Sequence, residues 1–467
     1  MANIRGTHER RFRQYVERVA DALGHADRRE PLRAYLTGLC LPGDRKSIEP
    51  MAARVDPRHV AARHQSMHHF VASAPWEAAA VLRVARDWVL APMARHGPVA
   101  AWIVDDTAFP KKGQHSVGVA RQYCGVLGKP ENCQVAVSVS AANDAVSVPV
   151  AYALYLPESW AHDRARRRRA GVPPAVAFRT KWQMALAQVL ALQAEGLPPA
   201  PVGADAGYGD VTQFRDRLTA AGIPYVVGVK AETTVWRPGH APWPPKRYGG
   251  RGRPPTCVRR TGSHRPLSLK RLASELPASA WHVVPWREGT RGTMRSRFAW
   301  LRVRPAHRDE QRSTPRPEEW LLIEWPPGAA GPTKYWLSTL PETIPMADLV
   351  RLAKLRWRIE RDDQELKDEL GLDHFEGRGW RGFHHHGALC IAAYAFLAAA
   401  RATLSPPAPL SFLRPLAFPK VSSRGALPVR PERHVATSIA TMSHRLARAL
   451  LRAQPCRGCG HEPRANR

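Results

Sequence analysis

The run 99-VAAWIVDDTAF-109 decides the fold class that we predict for this chain. It is an apolar, β-rich segment that ends in two adjacent carboxylates, Asp105 and Asp106. Charges at the end of a buried strand are costly unless they are paired or bind a metal ion. Because side chains alternate along a strand, Asp105 and Asp106 lie on opposite faces, and only one of them can serve a given site.

The segments after this strand alternate between strand and helix patterns. The stretch 133-CQVAVSVSAANDAVSVPVAYALYL-156 contains two apolar runs joined by Asn143 and Asp144, which predicts a hairpin. Beyond it we predict, in order, a helix at about 180–196, a strand at 201–205, a helix at about 211–222 and a strand at 224–230. The order strand, strand, strand, helix, strand, helix, strand predicts an α/β domain.

The charge balance indicates a polyanionic partner. The 467 residues include 70 Lys plus Arg and 40 Asp plus Glu, so the formal net charge is +30, spread over the whole length. Nucleic acid is the simplest partner for such a charge. A coding bias toward Arg, Ala and Pro is the alternative explanation for part of the excess.

Cysteine usage and hydropathy favour a reduced cytoplasm. The seven cysteines are scattered without a framework, and the N-terminus shows no positively charged segment followed by an apolar run. The apolar run 387-GALCIAAYAFLAAA-400 is too short to cross a bilayer, so we expect a buried core helix and no membrane.

Five segments differ in sequence character. Residues 1–95 show helical periodicity with basic residues between the apolar positions, which indicates a helical DNA-binding region. Residues 231–335 open with a Pro-, Gly- and Arg-rich loop and continue with strand-like runs, which indicates a β-rich insertion. The other segments are 96–230 and 336–402, two parts of the α/β domain with a helix at about 346–370, and 403–467, a basic Pro-rich region with a helix at about 434–453.

A second carboxylate marks another strand end. Asp205 terminates the strand 201-PVGAD-205, and the turn 206-AGYGD-210 with its spaced glycines lets a ligand approach the backbone. We expect Asp210 to be the N-cap of the next helix. Taken singly, Asp105 and Asp205 are better explained as turn or cap residues. Their shared position at strand ends is what makes them candidates.

The charged segment 354-KLRWRIERDDQELKDELGLDHFEGR-378 contributes a third acid. At about 100° per residue, Arg356, Glu360 and Lys367 fall on one line beside the apolar stripe. Glu360 is then half-sheltered between two cations, whereas Asp363 is the acid that the pattern does not explain. Two aspartates and a glutamate are ligands suited to Mg²⁺ or Mn²⁺, and two such ions activate phosphodiester hydrolysis. An intrahelical ion-pair ladder is the alternative.

Several of these motifs resemble a known family. The residues 356-RWRIE-360, Lys367 and 371-GLDHFEGR-378 resemble the C-terminal signature of the DDE transposases of bacterial insertion sequences, in the branch with a Tyr, Arg, Glu, Lys signature. The similarity extends from about residue 35 to about 400. Four further motifs are similar to the insertion-sequence family numbered seven hundred and one: 105-DDTAFPKKGQHSVGVARQYCG-125, 157-PESWAHD-163, 203-GADAGYG-209 and 380-WRGFHHH-386.

The resemblance implies a ribonuclease-H-like catalytic domain with a β-rich insertion before its last helix. It implies that Asp106, directly before Thr107, acts with Asp205 and Glu360 as catalytic acids and ligands of two Mg²⁺ or Mn²⁺ ions. Asp105 stays the alternate for the first position. The signature's tyrosine falls at Ala353, and its usual aromatic residue falls at Asp363, so this chain departs from the pattern twice.

The resemblance also implies a partner and a location. We expect binding to transposon-end inverted repeats and target DNA, a homodimer in the synaptic complex, and a bacterial cytoplasm with nucleoid association. The alternatives are an inactive transposase-derived DNA-binding protein and a ribonuclease-H-like nuclease without strand transfer. The expected DNA contacts are Arg356, Lys367, Arg166, Arg167, Arg168, Lys111 and Lys112, and the run His384 to His386 is expected to be polar surface or a phosphate contact.

Overall fold

The computed structural model describes residues 2–289, 292–404 and 438–452. The chain divides into two compact units, each built from several stretches of sequence. Unit 1 comprises Met1–Pro98, Thr107–Phe178 and Ile359–Arg467, and unit 2 comprises Val99–Asp106 and Arg179–Arg358.

Fifteen α-helices are present in the described residues. They are α1 (Ala2–Ala22), α2 (Arg29–Cys40), α3 (Ile48–Val55), α4 (Val60–Ala72), α5 (Ala78–Ala94), α6 (Glu158–Ala161), α7 (Arg164–Arg169), α8 (Lys181–Ala194), α9 (Ala206–Gly209), α10 (Thr212–Ala220), α11 (Leu269–Ser274), α12 (Met346–Lys354), α13 (Trp357–Asp368), α14 (Trp380–Leu404) and α15 (Ile439–Arg452).

Twelve strands are present in the same residues. They are β1 (Ala101–Pro110), β2 (Ala120–Cys124), β3 (Lys129–Ala142), β4 (Ser147–Leu154), β5 (Val202–Ala204), β6 (Tyr225–Val229), β7 (Thr234–Trp236), β8 (Leu267–Ser268), β9 (His282–Gly289), β10 (Gly292–Pro305), β11 (Glu319–Trp325) and β12 (Lys334–Ser338).

Unit 1 is organised around α14. This helix packs against α1, α2, α4, α5, α15 and strand β4. It is long and apolar enough to span a membrane, but 83% of its most apolar window is buried inside the protein. Small residues permit this close packing: a Cβ at Gly387 would lie 2.4 Å from the Tyr152 ring. The apolar run at 387–400 is therefore a core helix, as its length predicts.

The predicted hairpin is also part of unit 1. Strands β3 and β4 pair antiparallel, from Ala136 opposite Leu154 to Ala142 opposite Ser147. Asn143 closes the turn, because its side-chain oxygen accepts hydrogen bonds from the backbone N–H groups of two turn residues. The sequence did not predict β2, which pairs antiparallel with the beginning of β3.

Unit 2 contains a mixed sheet. Its strand order is β1-β5-β6-β12-β11-β10-β7-β8, and β9 pairs with β10. Strands β1, β5 and β6 are parallel neighbours, whereas β12, β11 and β10 continue the sheet in antiparallel pairs. All five residues of β6 are buried, which suits an interior strand between the parallel and antiparallel parts of the sheet. Strands β7 to β11 and the start of β12 lie within the segment expected to be a β-rich insertion.

One sequence expectation differs from this fold. The helix expected at about 346–370 is two helices, α12 and α13, with a turn at Leu355 and Arg356. There the Leu355 N–H bonds to the Leu352 carbonyl, and Leu355 is buried. Helices α1 to α5, which span most of residues 1–95, belong to unit 1, and α1, α2, α4 and α5 pack against α14. Residues 405–437 and 453–467 of the expected C-terminal region lie outside the described residues.

Candidate carboxylate site

The pairing of β1 with β5 determines which strand-end acids are neighbours. Trp102 lies opposite Val202 and Ile103 opposite Gly203 in parallel register. Continued by two residues, this register puts Asp105 opposite Asp205. Parallel neighbours in register share a face of the sheet, and Asp106 faces the other side.

One arginine binds both of these neighbouring acids. The Arg356 Nη2 atom lies 2.9 Å from Asp105 Oδ2, 3.1 Å from Asp105 Oδ1 and 3.9 Å from Asp205 Oδ2. Asp105 is 6% exposed, and this burial raises its pKa to about 6, while the positive charge of Arg356 opposes the rise. The guanidinium thus occupies a position where two carboxylates converge on a cation.

The backbone of the glycine-containing turn holds Asp205. Its Oδ1 atom accepts hydrogen bonds from the N–H groups of Gly207 (2.9 Å) and Tyr208 (3.3 Å), so it caps α9. A Cβ at Gly209 would lie 2.0 Å from the Gly228 carbonyl oxygen on β6. Packing against β6 therefore explains why position 209 is a glycine. The sequence had suggested a different reason, the close approach of a ligand to the backbone.

The expectation for Asp210 was wrong. Val211, and not Asp210, is the N-cap of α10. Asp210 ends α9 and accepts a hydrogen bond from the Thr233 hydroxyl at 2.6 Å. This partner is 23 positions away, so local helix-start patterns could not indicate it.

Asp106 has a different cationic partner, Lys181. The Lys181 ammonium pairs with Asp106 Oδ2, and the two side chains are 32% and 26% exposed. Sequence analysis missed Lys181, although its position carried a signal. It is the first residue of α8, where the helix dipole disfavours a cation unless an acid lies nearby.

Tyr208 is a second residue that sequence reasoning missed. Its side chain is 3% exposed, and its hydroxyl forms no hydrogen bond within the described part of the chain. Burial raises the pKa of Tyr208, and the negative charges of Asp106, Asp105 and Asp205 add to that rise. The negative charges of all three strand-end aspartates therefore act on a buried hydroxyl that has no partner in the described residues.

Glu360 lies in unit 1, on the first turn of α13, and its side chain is exposed. Of the acids that follow, Asp362 is the buried one, at 3% exposure, whereas Asp363 is half-buried. The Tyr394 hydroxyl donates to Asp362 (2.7 Å) and to Glu365 (2.9 Å). Burial raises the pKa of Asp362. The sequence pattern leaves Asp363 unexplained, and Asp362 is the buried acid of this run.

Ala353, where the signature's tyrosine would fall, is a core residue of unit 2. It packs with Val226, Leu349 and Val350 in a buried apolar cluster. A methyl side chain suits this position, because its surroundings are apolar.

Three of the expected DNA contacts bind carbonyl groups of the protein. Lys111 Nζ donates to the Phe375 carbonyl at 2.9 Å, and burial lowers the pKa of Lys111. Arg167 donates to the carbonyls of Ala161, Pro173 and Pro174. Lys367 Nζ lies 3.4 Å from the Ala108 carbonyl oxygen.

The other expected contacts differ in exposure. The Arg166 guanidinium lies 3.9 Å from the centre of the Trp160 ring and donates to the Gln114 carbonyl. Arg168 and Lys112 are exposed, and their side chains form no hydrogen bond or ion pair with any described residue. Among the expected contacts, Arg168 and Lys112 are therefore the exposed cations without a partner in the described part of the chain.

The expectation of a polar surface at His384 to His386 was wrong. His385 and His386 are 3% and 2% exposed, and His385 stacks on Trp76 with ring centroids 3.5 Å apart. The three histidines lie on the first turns of α14. Three identical residues in a row show no pattern from which the buried ones could be predicted.

The acids of unit 2 fit a hard divalent cation in donor type. Asp105 and Asp205 supply carboxylate oxygens, the ligands that Mg²⁺ and Mn²⁺ prefer. Their shared contact with Arg356 shows that both reach one cationic centre. Within the residues that the structure describes, no group of three or more His, Cys, Asp or Glu side chains is arranged to hold a metal ion.

Comparison with known proteins identifies the family. A family model described as DDE superfamily endonuclease matches residues 18–293, which is more than half of the chain. The chain therefore belongs to the DDE superfamily of endonucleases, with a mixed α/β fold. Asp105, Asp106 and Asp205 lie inside the matched range, and Glu360 lies beyond it.

A curated relative supports the resemblance to insertion-sequence transposases. The protein named "Probable transposase for insertion sequence element IS701", from Microchaete diplosiphon, is 30% identical over 172 residues. The match covers 37% of this chain and 42% of that protein, so the chain spans less than half the length of this relative.

Proposed function

We propose that the protein is the transposase of an insertion sequence. It binds the terminal inverted repeats of its element, cleaves the DNA there by metal-dependent hydrolysis, and joins the 3′ ends to target DNA. The observation that carries this proposal is the pair Asp105 and Asp205, in register and sharing one guanidinium, within a DDE endonuclease domain. The similarity to the IS701 transposase supports the same activity.

The proposed catalytic acids are Asp205, Glu360 and one aspartate at the end of β1. Resemblance to the family pointed to Asp106 as the first acid, with Asp105 as the alternate. The strand register and the contact with Arg356 support Asp105. Glu360 is proposed on the family resemblance alone.

These carboxylates would hold two Mg²⁺ or Mn²⁺ ions. When bound, such ions polarise the phosphodiester and lower the pKa of the attacking water or 3′-hydroxyl. The protein's own contribution is to fix the oxygen donors: the α9 turn orients Asp205, and burial orients Asp105. Because burial disfavours an isolated carboxylate, a cation at this position is required at neutral pH, and Arg356 supplies it in the protein alone.

DNA is the proposed partner, as transposon ends and as target. The formal net charge of +30 supports binding to a polyanion, and Arg168 and Lys112 are exposed cations suited to phosphate contact. A homodimer that brings two ends together is part of the proposal, as is a location in the bacterial cytoplasm in association with the nucleoid.

Cleavage and joining of labelled repeat-end DNA with Mg²⁺ test the function. Asp205→Asn and Glu360→Gln should each lower both activities at least a hundredfold while binding to the repeats persists. Asp105→Asn should be as damaging as Asp205→Asn, whereas Asp106→Asn should retain more activity. The reverse order for the last two variants would restore Asp106 as the first acid.

The same assay separates the two alternative functions. Wild-type protein that binds the repeats without cutting them is a DNA-binding protein derived from a transposase. Cutting without joining to target DNA identifies a nuclease that lacks strand transfer.

A further inference from the structure

Lys181 occupies a position that helix formation does not explain. The start of α8 is already capped, because the Thr180 N–H binds the Gln183 side chain at 2.8 Å in a capping box. A lysine directly after this cap lies at the positive end of the helix dipole, which is unfavourable. The ion pair with Asp106 offsets that cost.

Two cations contact the acids at the strand ends of unit 2. Arg356 contacts Asp105 and Asp205, and Lys181 pairs with Asp106, the residue directly after Asp105. Both members of the Lys181 and Asp106 pair are about two thirds to three quarters shielded from solvent. Their interaction is therefore stronger than that of an exposed surface pair.

We propose that Lys181 is a displaceable counter-cation of the carboxylate site. In the protein alone it neutralises Asp106, and its positive charge opposes the binding of a divalent cation at the neighbouring acids Asp105 and Asp205. Binding of the divalent cation weakens the Lys181 pair because like charges that share a partly buried site repel each other. This inference rests on the proposed function, since it assumes that the acids bind a divalent cation.

Lys181 is thus a positioning residue, and its effect should appear in metal affinity without any catalytic assay. Mn²⁺ is the probe, and the free ion in titrations of full-length protein is measured by electron paramagnetic resonance. Lys181→Met removes the charge and keeps the chain length, so it should bind Mn²⁺ at least threefold more tightly than wild type. Lys181→Arg keeps the charge and should bind within twofold of wild type.

The matched control is Lys230→Met. Lys230 also lies in unit 2 and pairs with an acid, Asp210, at 3.7 Å, but its side chain is 64% exposed. Removing it should leave Mn²⁺ affinity within twofold of wild type. If Lys230→Met tightens binding as much as Lys181→Met, the effect is one of net charge, and the proposal fails.

Thermal unfolding provides a second readout. Without metal, Lys181→Met should unfold at a lower temperature than wild type, and saturating Mn²⁺ should narrow this difference because the metal takes over the role of the ammonium. The proposal is overturned if Lys181→Met binds Mn²⁺ no more tightly than wild type does. It is also overturned if neither protein binds Mn²⁺. Asp205→Asn separates this inference from the proposed function: if it binds Mn²⁺ as wild type does, the metal site itself is wrongly assigned.

Discussion

His384 and His386 each have both ring nitrogens in defined hydrogen bonds. His384 Nε2 accepts from the Leu154 N–H at 3.2 Å, and its Nδ1 contacts the Trp380 carbonyl oxygen at 2.9 Å. His386 Nε2 contacts the Gly371 carbonyl oxygen at 2.9 Å, and its Nδ1 contacts the Tyr35 hydroxyl at 2.8 Å. Each ring thus needs one N–H, as in the neutral form.

This neutrality predicts acid sensitivity. Burial lowers the pKa of His386 from 6.5 to about 4. Below pH 6.5 the unfolded chain binds a proton that the folded chain takes up only near pH 4, so the stability contributed by neutral His386 is lost as pH falls through this window. The free energy of unfolding of wild type relative to His386→Gln should therefore decrease between pH 7 and pH 5, as measured by urea denaturation.

The comparison with His386→Gln is needed because protonation of Asp105 changes the free energy of unfolding in the opposite direction as pH falls. Burial raises the pKa of Asp105 to about 6, so the folded chain binds that proton more readily than the unfolded chain, and stability from this group increases as pH falls. Taking the difference between two proteins that both contain Asp105 removes this contribution. A difference that does not change with pH would show that His386 is not held neutral.

Contacts between distant residues explain why site prediction was incomplete. Strand-end positions singled out Asp105, Asp106 and Asp205 as candidates, because a charge after an apolar run is a local feature. The choice between the adjacent aspartates depends on Arg356, which is 251 positions from Asp105. Lys181 is 75 positions from Asp106. No periodicity within one element reveals either pair.

At the scale of single elements, the α9 turn depends on its contact with β6. A Cβ at Gly209 would lie 2.0 Å from the Gly228 carbonyl oxygen and 2.7 Å from Val227 Cβ. Both contacts are with fixed core atoms, so neither can move away at low cost. Gly209→Ala should therefore lower the free energy of unfolding by about 1–3 kcal/mol, a typical cost of overpacking. Urea denaturation of the full-length chain measures this change.

Gly203 on β5 offers the matched control. A Cβ there would meet Ile103 at 3.7 Å, an ordinary van der Waals distance. Gly203→Ala should therefore be tolerated, with a change smaller than that of Gly209→Ala. Equal destabilisation by the two substitutions would mean that loss of glycine itself, and not the contact with β6, determines the cost.

Element prediction succeeded where one pattern dominated and failed where tertiary contacts intervened. The hairpin of β3 and β4, helix α8 and the strands β5 and β6 follow from local alternation, periodicity and turn residues. The helix expected at about 346–370 had the right periodicity, and Ile359, Leu366 and Leu370 are buried as the stripe requires. Its interruption at Leu355 and Arg356 accompanies the ion pair of Arg356 with Asp105, a contact outside the helix.

At the scale of the whole molecule, the two units interleave along the chain. Unit 1 takes three stretches of sequence and unit 2 takes two, and β1 continues from unit 2 into unit 1 at residue 107. Changes in composition along a sequence can divide the chain only into consecutive segments, so they did not predict units built from separate stretches. The apolar character of α14 predicted its burial, but not that α1, α2, α4 and α5 would be the helices around it.

The net charge of +30 predicts strongly salt-dependent DNA binding, because each neutralised phosphate releases counterions. Arg168 is exposed on α7 and should contribute directly, whereas its neighbour Arg167 donates to three backbone carbonyls. Arg168→Gln should weaken binding to any duplex and reduce the slope of log K against log salt by about 1.

Arg167→Gln is the matched control, one residue away with the same loss of charge. Since its guanidinium is engaged with the protein, its main effect should be on thermal stability, with a smaller change in the salt slope. Fluorescence anisotropy of a labelled duplex between 50 and 300 mM salt measures both slopes. Equal slopes for the two variants would show that DNA responds to the total charge of the molecule, whereas a difference confined to Arg168→Gln assigns the contact to the exposed side of α7.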